Sequence, residues 1–130
     1  MKNGILINFS GHALSQDAID SLSEQYKEII QAAPINFDFT DRVEEQLENL
    51  IVSLSCQIDG TQPITIIPPG QSTLSILLVT YLHGLMGNFP AICYLELSDS
   101  GIYLPKMEFS INSNHVRSAG RKFRAKVFAA

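Results

Sequence analysis

The chain contains no tryptophan, only two cysteines and no apolar run of membrane-spanning length, and the last two shortages each exclude a class of protein. Cys56 and Cys93 lie in apolar runs without the spacing of a metal site, so we expect two buried thiols in a reducing, cytoplasmic environment. The longest apolar segment is interrupted by Thr80 and His83, and Met1–Ile7 is too short for a signal segment. We therefore expect no membrane partner.

Charged residues are also scarce and unevenly distributed. They make up 17% of the 130 residues against 45% hydrophobic ones, which predicts one packed domain over residues 1–130. The net charge of -4 argues against binding to duplex nucleic acid. Residues 106–130 nevertheless contain six basic residues and one acidic residue, whereas residues 1–105 contain three basic and twelve acidic ones. The basic segment indicates either a binding surface or a solvated helix face.

The common catalytic motifs are absent as well. There is no glycine-rich dinucleotide motif, no phosphate-binding Walker sequence and no GxSxG. His12, His83 and His115 are far apart, so we predict neither a metal site nor a cofactor. Ser10 and Ser72 lack a visible base partner, which favours anion contact or helix capping over nucleophilic attack.

The hydrophobic pattern predicts alternating strands and helices, followed by a hairpin and a last helix. The predicted strands are Gly4–Phe9, a segment around Ile29–Ala33, Ile64–Ile67 and Ala91–Leu97, with a hairpin turn at 99–101 that leads to Ile102–Leu104 and to the segment Met107–Ile111. The predicted helix caps are Ser15, Thr40 or Asp41, Ser72 or Thr73, and Asn112 or Ser113. This order predicts an α/β, Rossmann-like, mostly parallel sheet with helices on both faces.

Two loops of this fold are candidates for a shared site. If the strand order is 2-1-3-4, the loop Phe9–His12 and the loop Pro68–Thr73 meet at the switch point of the sheet, where open α/β sheets bind ligands. The second loop opens a helix, whose free N–H groups suit an anion. The last helix comes after the hairpin, and we expect it to bring Arg117 and Arg121 over the same rim.

Individual residues of these loops allow two interpretations. The Pro68–Thr73 loop, taken alone, is also what an ordinary strand-to-helix connection looks like. His12 either donates to a phosphate or acts as an acid or base, or it has no task. Phe9 either stacks on a base or packs in the core.

The third helix is apolar nearly all round, which predicts burial against another helix or in a subunit interface. The last helix is expected to bury Val116, Ala119, Phe123 and Val127 on one side.

Several segments together resemble a small accessory family encoded in type III CRISPR loci. They are Ile5–His12, Ile67–Gly70, Tyr81–Pro90, and Ile111-Asn112 followed by Val116-Arg117. The chain departs from the family pattern at Leu95–Asp99, where members often carry Arg and Pro, and at Gly11, which looks inserted. The resemblance implies a domain akin to CARF sensor domains, a homodimer or higher oligomer, and a cyclic oligoadenylate ligand, most commonly cyclic tetra-adenylate.

The family's implied role is to lower the free concentration of this second messenger. Three hypotheses remain: sequestration of the intact ring, its cleavage as a metal-independent ring nuclease, and a protein interaction module without a nucleotide ligand. The ring nuclease needs no protein nucleophile, so the missing motifs leave the question of enzyme activity open. The candidate ligand-binding residues are Phe9, Ser10, Gly11, His12, Pro69, Gly70, Gln71, Ser72, Thr73, Arg117 and Arg121, with His12 the one candidate for catalysis.

Overall fold

A parallel four-stranded sheet forms the centre of the protein. The structure is a computed structural model that describes residues 3–56, 58–99, 101, 103–105 and 111–128. The strands are β1 (Asn3–Asn8), β2 (Tyr26–Gln31), β3 (Ile64–Ile67), β4 (Ala91–Ile92), β5 (Leu95–Leu97) and β6 (Tyr103–Pro105). The helices are α1 (Gln16–Ser23), α2 (Val43–Val52), α3 (Ser72–Met86) and α4 (Ser113–Phe128).

The sheet has the strand order β2-β1-β3-β4, and all its pairings are parallel. Ile5 at the centre of the sheet has Glu28 of β2 on one side and Ile64 of β3 on the other. This confirms the predicted α/β, Rossmann-like fold class and the 2-1-3-4 order. The switch point lies between β1 and β3, so the loops that follow these two strands leave the same edge of the sheet side by side.

Alternation along β1 produces two apolar layers. Ile5 and Ile7 pack with α2 and α3 on one face, whereas Leu6 packs with Ala18 and Leu22 of α1 on the other. Helices therefore cover both faces, as the run of apolar residues in β1 predicts. In the described part of the chain, no helix combines the length and the apolar content needed to cross a bilayer.

Strand boundaries follow from burial and from proline. β3 ends where predicted, because Pro68 has no N–H to continue the ladder. β2 begins at Tyr26, earlier than predicted, because Tyr26 and Ile30 are the buried members of this edge strand. The predicted strand Ala91–Leu97 is wrong as one unit. It divides into β4 in the parallel sheet and β5, which pairs with β6 around the predicted hairpin turn.

The helix caps agree in part with the predictions. Ser15 caps α1 as expected, and its side chain accepts from the N–H of Ala18. α3 is capped by Gln71 rather than by Ser72 or Thr73, with Gln71 Oε1 2.6 Å from the N–H of Leu74. The residue before α2 is Arg42, whose backbone is in the left-handed conformation and whose side chain makes no capping hydrogen bond. The predicted Thr40 or Asp41 cap is therefore wrong. Asn112 Oδ1 accepts from the N–H groups at the start of α4, one of the two predicted caps.

α4 begins beside the amino-terminal end of β4 and then leaves the rest of the fold. Asn114 fastens it, because its amide both accepts from the N–H of Phe89 and donates to the carbonyl of Phe89, each at 3.0 Å. Ile111, the last residue of the predicted segment Met107–Ile111, forms a bridge with Ile92, and residues 107–110 of that segment lie outside the described residues. No residue of α4 is buried, so the expected burial of its apolar side is wrong for a single chain.

Candidate functional site

A cleft of about 660 Å³ lies at the carboxyl end of β1 and β3. It is bordered by the β1–α1 loop, by the β3–α3 loop and by the segment that follows β4. Its lining residues are Ser10, His12, Ala13, Leu14, Ser15, Ile67, Pro68, Pro69, Gly70, Tyr94 and Leu95. The two loops singled out in the sequence therefore meet at one site, as the strand order predicts. The volume is within the range of sites that hold one drug-sized molecule.

Asn8, the last residue of β1, organises the first loop. Its side chain is only 2% exposed, and a buried amide has to find hydrogen-bond partners. Asn8 Oδ1 accepts from the backbone N–H and the hydroxyl of Ser10, at 3.0 and 2.6 Å. Asn8 Nδ2 donates to the carbonyl of His12 at 2.8 Å. The loop is thus tied at two points to a residue that belongs to the sheet.

Gln31, the last residue of β2, adds a third attachment. Its Oε1 accepts from Asn8 Nδ2 and from the N–H of Leu14, both at 3.2 Å. The carbonyl of Asn8 in turn accepts from the N–H of Ala32. The β1–α1 loop is therefore held by side chains from the ends of two neighbouring strands. Such a support keeps a binding loop in one conformation before any ligand arrives.

The loop residues predicted from the sequence have different roles. The hydroxyl of Ser10 makes its hydrogen bonds within the loop, because it donates to Asn8 Oδ1 and accepts from the N–H of His12 at 3.2 Å. Gly11 has a φ of 81°, which favours glycine at this position. His12 is exposed and lines the cleft. Phe9 is 1% exposed within the core, so the hypothesis that its ring stacks on a base is wrong for this conformation.

The second loop leads from the cleft into α3: of its predicted ligand-binding residues, Pro69 and Gly70 line the cleft, whereas Gln71, Ser72 and Thr73 do not. Ser72 and Thr73 are the first two residues of α3, so their N–H groups have no carbonyl of a preceding helical turn as acceptor. These N–H groups are therefore donors that suit an anion. Pro69 is buried and fixed by the hydroxyl of Ser75, which donates to its carbonyl at 2.7 Å. Gly70 is exposed, and a Cβ there would have no atom within 4 Å. Gly70 is not among the glycines with a positive φ, so an unusual backbone angle is not the reason for glycine at this position.

The predicted arginines lie elsewhere. Arg117 borders a second groove with Val79, Phe89 and Val116, near the amino-terminal end of β4. The cleft opens at the opposite, carboxyl end of the strands, and no α4 residue lines it. The expectation that α4 brings Arg117 and Arg121 over the rim of its own chain is thus wrong. None of the described lining residues is Lys or Arg.

The chemistry available at the cleft is limited. Burial raises the pKa of the Cys93 thiol, next to the cleft residue Tyr94, to about 11. Burial and the charge of Glu28 raise the pKa of Cys56 above its usual value. Both thiols therefore stay protonated near neutral pH and are poor nucleophiles. In the described residues, no three His, Cys, Asp or Glu side chains come together as a metal site requires.

Three residues of this site escaped the sequence analysis. Asn8 and Gln31 are the last residues of their strands. A polar residue at the end of an apolar run is the signal that could have marked them as supports of the loop. Tyr94 was assigned to the interior of a strand that in fact ends at Ile92. No signal in the sequence shows that the sheet ends there.

Exchanging Asn8 for aspartate is expected to loosen the first loop. The carboxylate keeps an acceptor for Ser10 but replaces the Nδ2 donor by an oxygen facing the carbonyl of His12. We expect the free energy of unfolding to fall by about 1–3 kcal/mol, measured by urea denaturation. Gln16→Glu is the control, because it makes the same exchange opposite the exposed Asp20 and should cost about 0.5 kcal/mol or less. Equal, small effects for both variants would show that the Asn8 network does not support the loop.

Comparison of the chain with protein-family models, with curated proteins and with solved structures finds no match.

Proposed function

We propose that the protein binds cyclic tetra-adenylate and lowers its free concentration by sequestration, as a negative regulator of type III CRISPR antiviral signalling. The observation that carries this proposal is the meeting of the β1–α1 and β3–α3 loops in one cleft. These loops contain parts of two of the four segments on which the resemblance to the CRISPR accessory family rests, Ile5–His12 and Ile67–Gly70. A preformed loop, a helix N-terminus and an apolar wall suit the parts of a nucleotide.

The size and charge of the ligand favour a homodimer. A ring of four nucleotides is larger than a drug-sized molecule, and a two-fold pair of clefts offers each half of the ring the same groups. The ring also carries four phosphates, whereas the described cleft residues include no Lys or Arg. The basic side chains of α4 are exposed and away from the cleft of their own chain, so we propose that they act on the ligand from a second copy.

Exposed apolar side chains mark the surface on which the second copy would pack. Ile76 and Leu85 of α3 are exposed, although Leu74, Leu78 and Leu82 of the same helix are buried. On α4, an exposed stripe at helical spacing contains Val116, Ala119, Phe123 and Val127. Ile76 and Leu85 are nine residues apart and lie on opposite sides of α3, so the continuous exposed apolar face is the α4 stripe. Exposed apolar faces of this kind mark interaction sites, and pairing of copies would cover the stripe.

Phe123→Glu is expected to convert a dimer into a monomer. Phe123 is 61% exposed at the centre of the α4 stripe, and a carboxylate there would have to be desolvated in the interface. One chain has a mass of 14.4 kDa. Light scattering should give the mass of two chains for the unaltered protein and the mass of one chain for the variant. Ser118→Glu is the matched control, because it adds the same charge on the opposite side of α4 and should remain a dimer. A monomeric unaltered protein at tens of micromolar, with and without ligand, would refute the homodimer.

His12 supports a second candidate function, a ring nuclease. His12 is exposed and is one of the residues that line the cleft. In that reaction the ribose 2′-OH attacks the adjacent phosphorus, a 2′,3′-cyclic phosphate forms, and the 5′-oxygen leaves and takes up a proton. An imidazole can accept the first proton or supply the second. No nucleophile from the protein is needed, and the α3 N-terminus would stabilise the charge on the phosphate.

Incubation with radiolabelled cyclic tetra-adenylate separates the candidates. A retarded complex that releases an intact ring supports sequestration, whereas linear products support the nuclease. A protein that neither retains nor cleaves the ring would leave the third hypothesis, an interaction module that uses the exposed faces of α3 and α4.

A further inference from the structure

The segment after β4 holds one aromatic side chain against the cleft. The N–H of Cys93 donates to the carbonyl of Ile66 at 2.8 Å, so the pairing of β4 with β3 continues one residue past Ile92. Cys93 is buried in the cluster beneath α1, and Leu95 packs against the same cluster. Tyr94 lies between these two anchored residues, is 39% exposed and lines the cleft. This exposure contrasts with the burial of Cys93, its neighbour in the chain, which is 1% exposed.

The rest of the cleft wall near Tyr94 is apolar. Ala13 and Leu14 come from the β1–α1 loop, and Pro68 and Pro69 come from the β3–α3 loop. Because the described lining residues include no Lys or Arg, this part of the cleft does not suit a phosphate. A flat heteroaromatic ring suits it better, because such a ring contributes a large apolar surface and stacks on an aromatic side chain. The N–H groups that suit an anion come at the start of α3, from Ser72 onward, after the end of this apolar wall at Pro69.

We propose that Tyr94 is the stacking platform for a purine base of the bound ligand. The inference rests on the proposed nucleotide ligand and extends it, because it divides the site into a base pocket at Tyr94 and a phosphate edge at α3. Stacking uses the face of the base and not its hydrogen-bonding edge. Tyr94 therefore selects ligands that carry a base over sugar phosphates that lack one.

Substitutions at Tyr94 test the role of the ring face. Tyr94→Phe keeps the ring and should bind cyclic tetra-adenylate within about threefold of the unaltered protein, whereas Tyr94→Leu keeps apolar bulk without a π-face and should lose roughly 10- to 100-fold in affinity. Phe39→Leu is the matched control, because Phe39 is 40% exposed and lies outside the cleft. Unchanged affinity in Tyr94→Leu would overturn the inference.

A second measurement separates this inference from the proposed function. Nuclear Overhauser effects should connect the Tyr94 ring protons with H2 or H8 of adenosine monophosphate, and ribose 5-phosphate should not displace that contact. The chain has four tyrosines, and the spectrum of Tyr94→Phe identifies the signal of interest. Contacts with adenosine monophosphate in a protein that does not retain the cyclic ring would support the base pocket and refute the cyclic ligand. Retention of the ring without any contact to Tyr94 would refute the base pocket alone, and absence of both would refute the two proposals together.

Discussion

Gly4→Ala is expected to lower the free energy of unfolding by about 3 kcal/mol or more. Gly4 is buried in β1, where the backbone of Pro63 passes directly beside it. A Cβ at Gly4 would overlap the carbonyl oxygen of Pro63 and lie 2.9 Å from its carbonyl carbon. The same oxygen accepts the N–H of Ile5 at 3.0 Å, so Pro63 cannot retreat without breaking that bond between the central strands.

Urea denaturation of Gly4→Ala beside Gly84→Ala measures this effect. Gly84 lies in α3, and a Cβ there would have no atom within 4 Å. Alanine should therefore leave stability unchanged or raise it by up to about 1 kcal/mol through helix propensity. Equal midpoints for the two variants would mean that the chain can separate β1 from Pro63 at no cost, which would contradict the close approach of these two segments.

Gly70→Val is expected to reduce the affinity for cyclic tetra-adenylate by roughly 10- to 150-fold without unfolding the protein. Gly70 lines the cleft, and a Cβ there would meet no protein atom within 4 Å, so the fold can accept the larger side chain. The valine would instead occupy space beside the α3 N-terminus, where we propose that a phosphate binds. Filter binding or calorimetry with the cyclic ring measures the loss.

Two comparisons make the Gly70 result specific. Gly70→Ala should have an intermediate affinity, because it adds a smaller group at the same place. The urea midpoint of Gly70→Val should match that of the unaltered protein, which separates blocked binding from unfolding. Full affinity in Gly70→Val would show that no phosphate of the ligand binds at the β3–α3 turn, and this turn would then only connect the strand with the helix.

Local patterns predicted the central sheet well. β3 was predicted residue for residue, because a short β-branched run lies between Pro63 and Pro68. The shared site was predicted on the condition that the strand order is 2-1-3-4, and the sheet has this order, which brings His12 and Gly70 to one cleft. Parallel strands joined by helices leave few possible arrangements, so a sequence pattern suffices for this part of the site.

Features that depend on tertiary contacts were missed. Gln71 rather than Ser72 caps α3, because its longer side chain reaches the N–H of Leu74 from the residue before the helix. The apolar pattern of α4 predicts an amphipathic helix but does not show which surface covers it. Arg117 was expected over the rim of the cleft because the last helix follows the hairpin. The Asn114–Phe89 hydrogen bonds, which fasten α4 at the other end of β4, have no signature in the sequence.

The position of β1 between β2 and β3 also affects the growing chain during synthesis. β1 and β2 leave the ribosome early, but the second neighbour of β1 is complete only when Ile64–Ile67 has emerged. Until then, one side of β1 has unpaired backbone groups, and its apolar side chains project from both faces of the sheet. An unpaired apolar edge of this kind pairs readily with other chains. A nascent chain arrested between α2 and β3 is therefore the species most exposed to aggregation.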